Sequence, residues 1–284
     1  MSERPSPTIL RVRLGHLLSA LRRDAGKTPK EAAEWLGVST STISKIENGR
    51  QAVKLAHVRS LLQLFGCVGD RADELIAIAR EANQPGWWVP FGDTVPEWFK
   101  NFLGLEVDAD AIRTYELELV PGVLQTPAYT EAITRKTWPT HSDDEVARAV
   151  EFRRARQEHL EDRNVPRLHF VLNEAVLCRP VGGPKVWREQ IEHLAEVARR
   201  PNATVQVLPF ATGEHPVMGS AFTLLHFDDE SSLDTVYLEN DRGGHHLKSA
   251  AEIKRYASVF AELVESAASP ENSLEMLVRV IEHL

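Results

Sequence analysis

Apolar residues at positions 10, 14, 17, 18 and 21 recur at the three-and-four spacing of an amphipathic helix and predict a first helix over 10–25. Two shorter apolar sets follow. Ala32, Ala33 and Leu36 share one face of a helix that Thr28 caps, with Pro29 at its first position and Glu31 closing a Thr-x-x-Glu capping box. Gly37 ends that helix in the left-handed conformation, and Ser39 caps the next, whose apolar positions Ile43 and Ile46 lie three apart before Gly49 stops it. A fourth helix is predicted over 55–65, and Asp70 reads as the cap of a fifth, RADELIAIAREAN. Gln84-Pro85-Gly86 is the clearest punctuation of the chain. The pattern therefore divides into a flexible tail (1–8), an all-α five-helix domain (9–83), a linker (84–86) and a second domain (87–284).

Beyond the linker the period changes. Short runs that alternate or are continuously apolar predict strands at 110–119, 168–172, 204–208, 222–226 and 235–238. Between and after them lie helical patterns at 96–105, 127–135, 143–162, 184–199, 249–267 and 270–284. Helices interspersed with short strands indicate a mixed α/β (α+β) domain, so the fold class is multidomain. The run RAVEFRRARQEHLEDR alternates charge sign along its helix. That pattern suits a solvated face laced with ion pairs, or else an interface through Val146, Ala149, Val150, Phe152 and Leu160.

Composition alters this picture at three points. With 43% hydrophobic residues in 284, the chain can bury a core in each part. Its two cysteines, Cys67 and Cys178, stand far apart without a CxxC partner, which argues against a disulfide framework or a zinc site. No apolar run nears the ~18 residues that span a membrane, and the polar start MSERPSPT does not read as a signal peptide. A cytoplasmic protein is expected.

The net charge of −8 hides an asymmetry. Residues 1–60 hold eleven Lys/Arg against five Asp/Glu, leaving 22 against 36 for the remainder. A basic module on an acidic body can still hold a phosphate backbone while the body repels non-specific attachment. The outward face of the Ser39-capped helix sharpens this reading. Thr40, Ser41, Thr42, Ser44 and Lys45 point away from Ile43 and Ile46, where a helix built for stability alone would carry Ala, Glu, Gln or Lys. Short hydroxyls permit close approach to base edges and phosphates, and Arg50, just past the stop, suits a phosphate contact. Two short helices joined by a tight turn, the second with such a face, form a helix-turn-helix signal for double-stranded DNA.

The segment GKTPKEAAEWLGVSTSTISKIENGR resembles the xenobiotic-response-element (Cro-like) family of bacterial helix-turn-helix regulators. That resemblance implies a five-helix domain whose 39–48 helix enters the major groove, with Thr40, Ser41, Ser44 and Lys45 reading bases. It also implies a structural ion pair between Arg22 and Glu47. The family usually has Gln where this chain has Pro29, which removes one phosphate anchor; Lys27 or Lys30 can compensate, alongside Thr42 and Arg50. Further on, WWVPFGDTVPEWF, IRTYELELVPGVLQTPAYTEAI, RPVGGPKVWREQIEHL and PNATVQVLPFATGEHPVMGSAFTLLHF resemble the C-terminal domain of actinobacterial WhiJ-like, antitoxin-like regulators. This second resemblance implies a regulator, with a small neighbour-encoded protein as a possible partner, and assigns no catalytic chemistry.

The sequence offers little for an enzyme. There is no HExxH, GxSxG or GxxxxGK[ST], and the adjacent pair His245-His246 would point apart in a strand rather than converge on a metal. No catalytic residue, cofactor or metal is expected. The sequence therefore predicts a DNA-binding transcription regulator, a homodimer on an inverted repeat, controlled through its C-terminal domain by a small-molecule effector or a protein partner. The alternative is an antitoxin-like interaction protein that neutralises a small partner and regulates its own promoter.

Overall fold

The computed structural model describes residues 5–162, 165–228, 231–240 and 242–283. The chain forms two compact units, residues 1–90 with 103–108, and residues 91–102 with 109–284. The Gln84-Pro85-Gly86 punctuation thus lies inside the first unit.

Five helices dominate the first unit: α1 (Pro7–Asp24), α2 (Pro29–Leu36), α3 (Thr40–Glu47), α4 (Leu55–Leu64) and α5 (Asp70–Ala82). Neither α2 nor α3, at eight residues each, can hide its apolar face alone. They close over Leu14 and Leu18 of α1, Val58, Leu61 and Leu62 of α4 and Leu75 and Ala79 of α5, forming one core with Ala32, Ala33, Ile43 and Ile46. Each fully buried Leu or Ile side chain contributes roughly 1.5–3 kcal/mol.

Helix α1 starts three residues earlier than its apolar pattern suggested. The Ser6 side chain caps it by accepting from the Ile9 amide at 3.3 Å, and the Ser6 hydroxyl donates to the Gly104 carbonyl at 2.7 Å. Residues 6–8 of the expected tail therefore belong to this helix and its cap, with Thr8 buried; residues 1–4 lie outside the described residues. A polar N-terminal turn gives no apolar period, which is why the sequence placed it in the tail. Asp70 is corrected too. It is the first residue of α5, whose cap position is Gly69, and no side chain caps the helix. Asp70 and Asp73 act instead as first-turn carboxylates facing the positive end of the helix dipole.

The second unit is built on a six-stranded sheet: β1 (Ala111–Glu116), β2 (Arg167–Asn173), β3 (Ala203–Leu208), β4 (Phe222–His226), β5 (Thr235–Asn240) and β6 (Gly243–Leu247). The order is β3-β2-β1-β4-β5-β6; β1, β2 and β3 run parallel, while β4, β5 and β6 add as antiparallel neighbours. Its helices are α6 (Glu97–Glu106, of which residues 97–102 count with this unit), α7 (Pro127–Thr137), α8 (Asp143–Asp162), α9 (Ala175–Cys178), α10 (Pro184–Val197), α11 (Ala250–Ser266) and α12 (Pro270–Glu282).

Successive strand residues serve opposite faces. Phe170, Leu172, Val205 and Val207 pack with Tyr129 of α7, Trp187, Ile191 and Leu194 of α10 and Leu277 of α12. Tyr115, Val171, Phe222, Leu224 and Val236 pack on the other face with Phe260 and Leu263 of α11. β6 was not predicted, because its sequence, GGHHL, offers two glycines and one aliphatic residue. It exists by pairing with β5, with Tyr237 opposite His246. β1 ends at Glu116, three residues short of the expected strand. On α8, Val146, Phe152 and Leu160 are buried within this chain, so that apolar stripe is already covered.

Candidate nucleic-acid interface

The caps at both ends of the α2–α3 turn set the presentation of α3. The Thr28 hydroxyl accepts from the Glu31 amide at 3.2 Å, and Glu31 Oε2 accepts from the Thr28 amide at 2.8 Å, closing the capping box. Those contacts hold the Glu31 carboxyl below its ordinary pKa, the Thr28 amide contributing most. Gly37 turns the chain at φ 66°, a conformation that costs a residue with a Cβ roughly 1–2 kcal/mol. Two residues on, Ser39 Oγ accepts from the Thr42 amide at 3.1 Å and starts α3.

With Ile43 and Ile46 anchored in the core at 2% exposure each, the helical period turns Thr40, Ser41, Ser44 and Lys45 outward, and all four are exposed. At about 1.5 Å per residue, eight residues make a rod of about 12 Å, a length suited to the major groove. Lys45 and Arg50 make no side-chain ion pair or hydrogen bond with any described residue. Both cations are therefore available to a phosphate or a base edge.

The other expected contacts are placed differently. Thr42 is half-buried, and its hydroxyl lies 3.0 Å from Ser39 Oγ, within the cap. Lys27 sits 3.5 Å from Glu31, and Lys30 sits 3.9 Å from Glu34. Such exposed i,i+4 pairs are worth only about 0.3–0.5 kcal/mol, so a phosphate can outcompete them. Two residues not singled out in the sequence join the surface. Asn48 closes α3 by donating to the Ser44 carbonyl at 2.7 Å, with Ser44 Oγ 3.4 Å away, so it orients a hydroxyl of the outward face. Lys54 is exposed immediately before α4 and unpaired among the described residues. The cluster of basic residues around the α3 stop was the signal for it.

Arg22 and Glu47 form a two-pronged pair. Arg22 Nε donates to Glu47 Oε1 at 2.6 Å and Nη2 donates to Oε2 at 3.0 Å, while Nη1 reaches the Lys27 carbonyl at 2.8 Å. Ser19 Oγ donates to Glu47 Oε2 at 3.0 Å. The hydrogen bond and charge of Glu47 raise the Arg22 pKa despite burial. One guanidinium thus ties α1 to the end of α3 and to the loop before α2. Arg22→Ala leaves the Glu47 carboxylate with Ser19 alone and is expected to destabilise the domain by about 2 kcal/mol. Urea titration compared with Glu47→Ala and the double variant checks this, because coupled losses must be less than additive.

Among the described residues, no group of three or more His, Cys, Asp or Glu is placed to hold a metal, and no helix is long and apolar enough to cross a membrane.

Two family models match the chain: a helix-turn-helix domain over residues 13–75 and a domain of unknown function (DUF5753) over residues 99–279. No curated protein and no solved structure matches it.

Proposed function

The chain belongs to the DUF5753 family, carries that domain behind an N-terminal helix-turn-helix domain, and we propose that it is a sequence-specific transcription regulator that works in the cytoplasm. The observation that supports this best is the outward face of α3. Its four short or cationic residues, Thr40, Ser41, Ser44 and Lys45, are exposed on a helix fixed by caps at both ends. Thr40, Ser41, Ser44 and Lys45 read base edges, while Arg50, Lys27 and Lys30 serve the backbone; Thr42, its hydroxyl taken up by the Ser39 cap, holds the start of α3 instead. A single such domain offers too few contacts for a site-specific Kd of ~10⁻⁸ M or tighter. The regulator therefore acts as a homodimer on an inverted repeat, with half-sites about one helical turn apart. The division into a reading domain (9–83), a linker (84–86) and a controlling domain (87–284) gives the second part the role of taking an effector, as the WhiJ-like resemblance suggests.

Genome-wide mapping of bound sites, with Lys45→Ala beside the natural chain, tests this. A few sharp sites sharing an inverted repeat are expected, with the variant's affinity lower by roughly tenfold or more because each half-site loses about 1 kcal/mol. The salt dependence of binding should weaken in the variant as well. Diffuse occupancy that Lys45→Ala leaves untouched would overturn the reading.

A second reading, an antitoxin-like protein that neutralises a small partner, draws on the segment after β3, where Phe210 and Met218 are 59% and 64% exposed. Co-purification of a neighbour-encoded protein, abolished by Phe210→Ser with Met218→Ser, is the result that favours it.

A further inference from the structure

The core between the sheet and the pair α10 and α12 is interrupted by an open groove of about 360 Å³. It lies where α9, leaving the carboxyl end of β2, meets the start of α10 and the end of α12. That volume falls at the lower end of those that hold a small molecule. Leu177 and Trp187 belong to the buried core and Val280 packs against it, so the walls are apolar, with Pro180 at the edge. DNA reading uses none of these residues.

The polar side chains around the groove are donors, and among the described residues no Asp or Glu lines it. Trp187 is 2% exposed, its ring centre 6.4 Å from that of Tyr129. Its indole N–H donates to no described residue. Nor is that N–H sealed off: it keeps a little accessible surface, and the groove is the space its ring borders. A buried donor without an acceptor is a loss that a bound acceptor recovers. Trp187 also stands in the first turn of α10, whose N-terminal end has no side-chain cap, so the positive end of that helix lies beside it.

Arg279 and His283 bring further donors from the C-terminal end of α12. His283 Nδ1–H donates to the Arg279 carbonyl at 2.6 Å, which answers one negative carbonyl of the helix end and leaves Nε2 without a described partner. Arg279 has a counter-ion, Glu275, whose Oε2 lies 3.3 Å from Nη2 one turn back. Both side chains are 65% exposed, and an i,i+4 pair of that kind yields readily to a second carboxylate. Glu275 can also stay in place, because a guanidinium carries five N–H groups. Cys178 adds no negative charge: burial, and then the charge of Glu174, raise its pKa and keep the thiol neutral. One guanidinium and one indole N–H suit a single negative charge, and apolar walls disfavour a strongly hydrated polyanion.

We propose that this groove binds a small monocarboxylate with an aromatic or branched apolar body. The carboxylate accepts from the Trp187 N–H within the field of Arg279, and the body lies against Leu177, Pro180 and Val280. The site's regulatory meaning rests on the effector reading above; its existence does not.

The test uses the full chain without DNA, with benzoate and isovalerate as probes and benzamide and isovaleramide as their neutral counterparts. Isotope-labelled protein gives an indole N–H resonance for each tryptophan, and the one missing from Trp187→Phe is that of Trp187. Either acid at millimolar concentration should move that resonance saturably and leave that of Trp35, in the other unit, where it is. Calorimetry should show one-to-one binding that Arg279→Gln weakens about tenfold. Arg279→Lys should restore part of the loss, and Arg167→Met, on a surface ion pair at the other end of β2, should leave binding unchanged. Melting curves without ligand verify that the variants fold, and the exposed Arg279 keeps the test decisive if Trp187→Phe loosens the core. No saturable binding of either acid, or equal binding of the amides, would overturn the proposal. So would a Trp187 resonance that ignores both acids and moves with protein concentration, because a second copy of the chain then covers the groove. Operator affinity with and without the acid that binds is a separate arm: an unchanged value leaves the site standing and removes the effector reading.

Discussion

Gly15→Ala is expected to destabilise the helix-turn-helix unit by about 3 kcal/mol, even though alanine is the better helix former by roughly 1 kcal/mol. The reversal comes from what the missing Cβ makes room for. A methyl group on Gly15 would sit 2.5 Å from the Ile46 carbonyl oxygen and 2.7 Å from that of Glu47. These are backbone atoms at the end of α3, and they cannot turn aside as a side chain can. Helix α1 would have to lift from α3, stretching the Arg22–Glu47 pair and opening the core around Leu14, Leu18 and Ile46. Gly49 reinforces the same junction, since its φ is 65° and a Cβ there would lie 2.6 Å from the Val12 Cα. Native-state hydrogen exchange of the amides in α1 to α5 provides the measurement, because a chain of two units does not unfold in one step. Faster exchange throughout those helices in Gly15→Ala, with operator binding weakened in proportion, is the expected result. Unchanged protection would mean that α1 and α3 can separate freely, and that the recognition helix is held by its caps and the α2 packing alone.

That close crossing was invisible in the sequence, while the helices it joins were plain. The caps Thr28 and Ser39, the stop at Gly37 and the apolar sets of α2, α3 and α4 are local signals read within one or two turns. A glycine inside an apolar helical pattern looks like a mild propensity defect until the partner's carbonyls are placed against it. The same division holds in the second unit. Five of the six strands were legible from apolar runs, whereas β6 depends on a neighbour for its pairing, and its own GGHHL carries no β pattern.

Helix α8 is the most instructive case. Its alternating charges read as a solvated face or an interface, yet Arg153, Arg156 and Gln157 share a helical face with the buried Phe152 and Leu160. Polar residues in register with an apolar stripe were the available signal for an inward-facing charged site. The identity of what they face, Glu116 and Glu239 from strands far away in sequence, could come only from the sheet order.

A second large effect follows from Glu116. The carboxyl is pushed up to about 8 from an ordinary 4.5, first by burial and then by the charge of Glu239, with Arg156 opposing. A carboxyl whose folded pKa lies above its unfolded value contributes stability that is complete below pH 4.5 and is lost as pH rises through about 8. At roughly 1.4 kcal/mol per pH unit the separation alone would amount to about 5 kcal/mol, and access of water to the half-buried group reduces this to about 2–3 kcal/mol. The natural chain should therefore lose that much stability in its sheet unit between pH 5 and pH 8.5 relative to Glu116→Gln, measured by urea unfolding with hydrogen exchange of β1 and β2 as the readout.

The comparison between the two proteins matters because His169, His193 and His215 work in the opposite sense. Burial lowers the pKa of all three, so they withdraw stability as pH falls, in the natural chain and the variant alike. Their contribution cancels in the difference, which isolates the carboxyl. Parallel pH profiles for the two proteins would show that Glu116 is solvated like an ordinary surface acid. A converging pair, with the variant gaining on the natural chain as pH rises, would show a carboxyl held in a dry pocket that favours its protonated form.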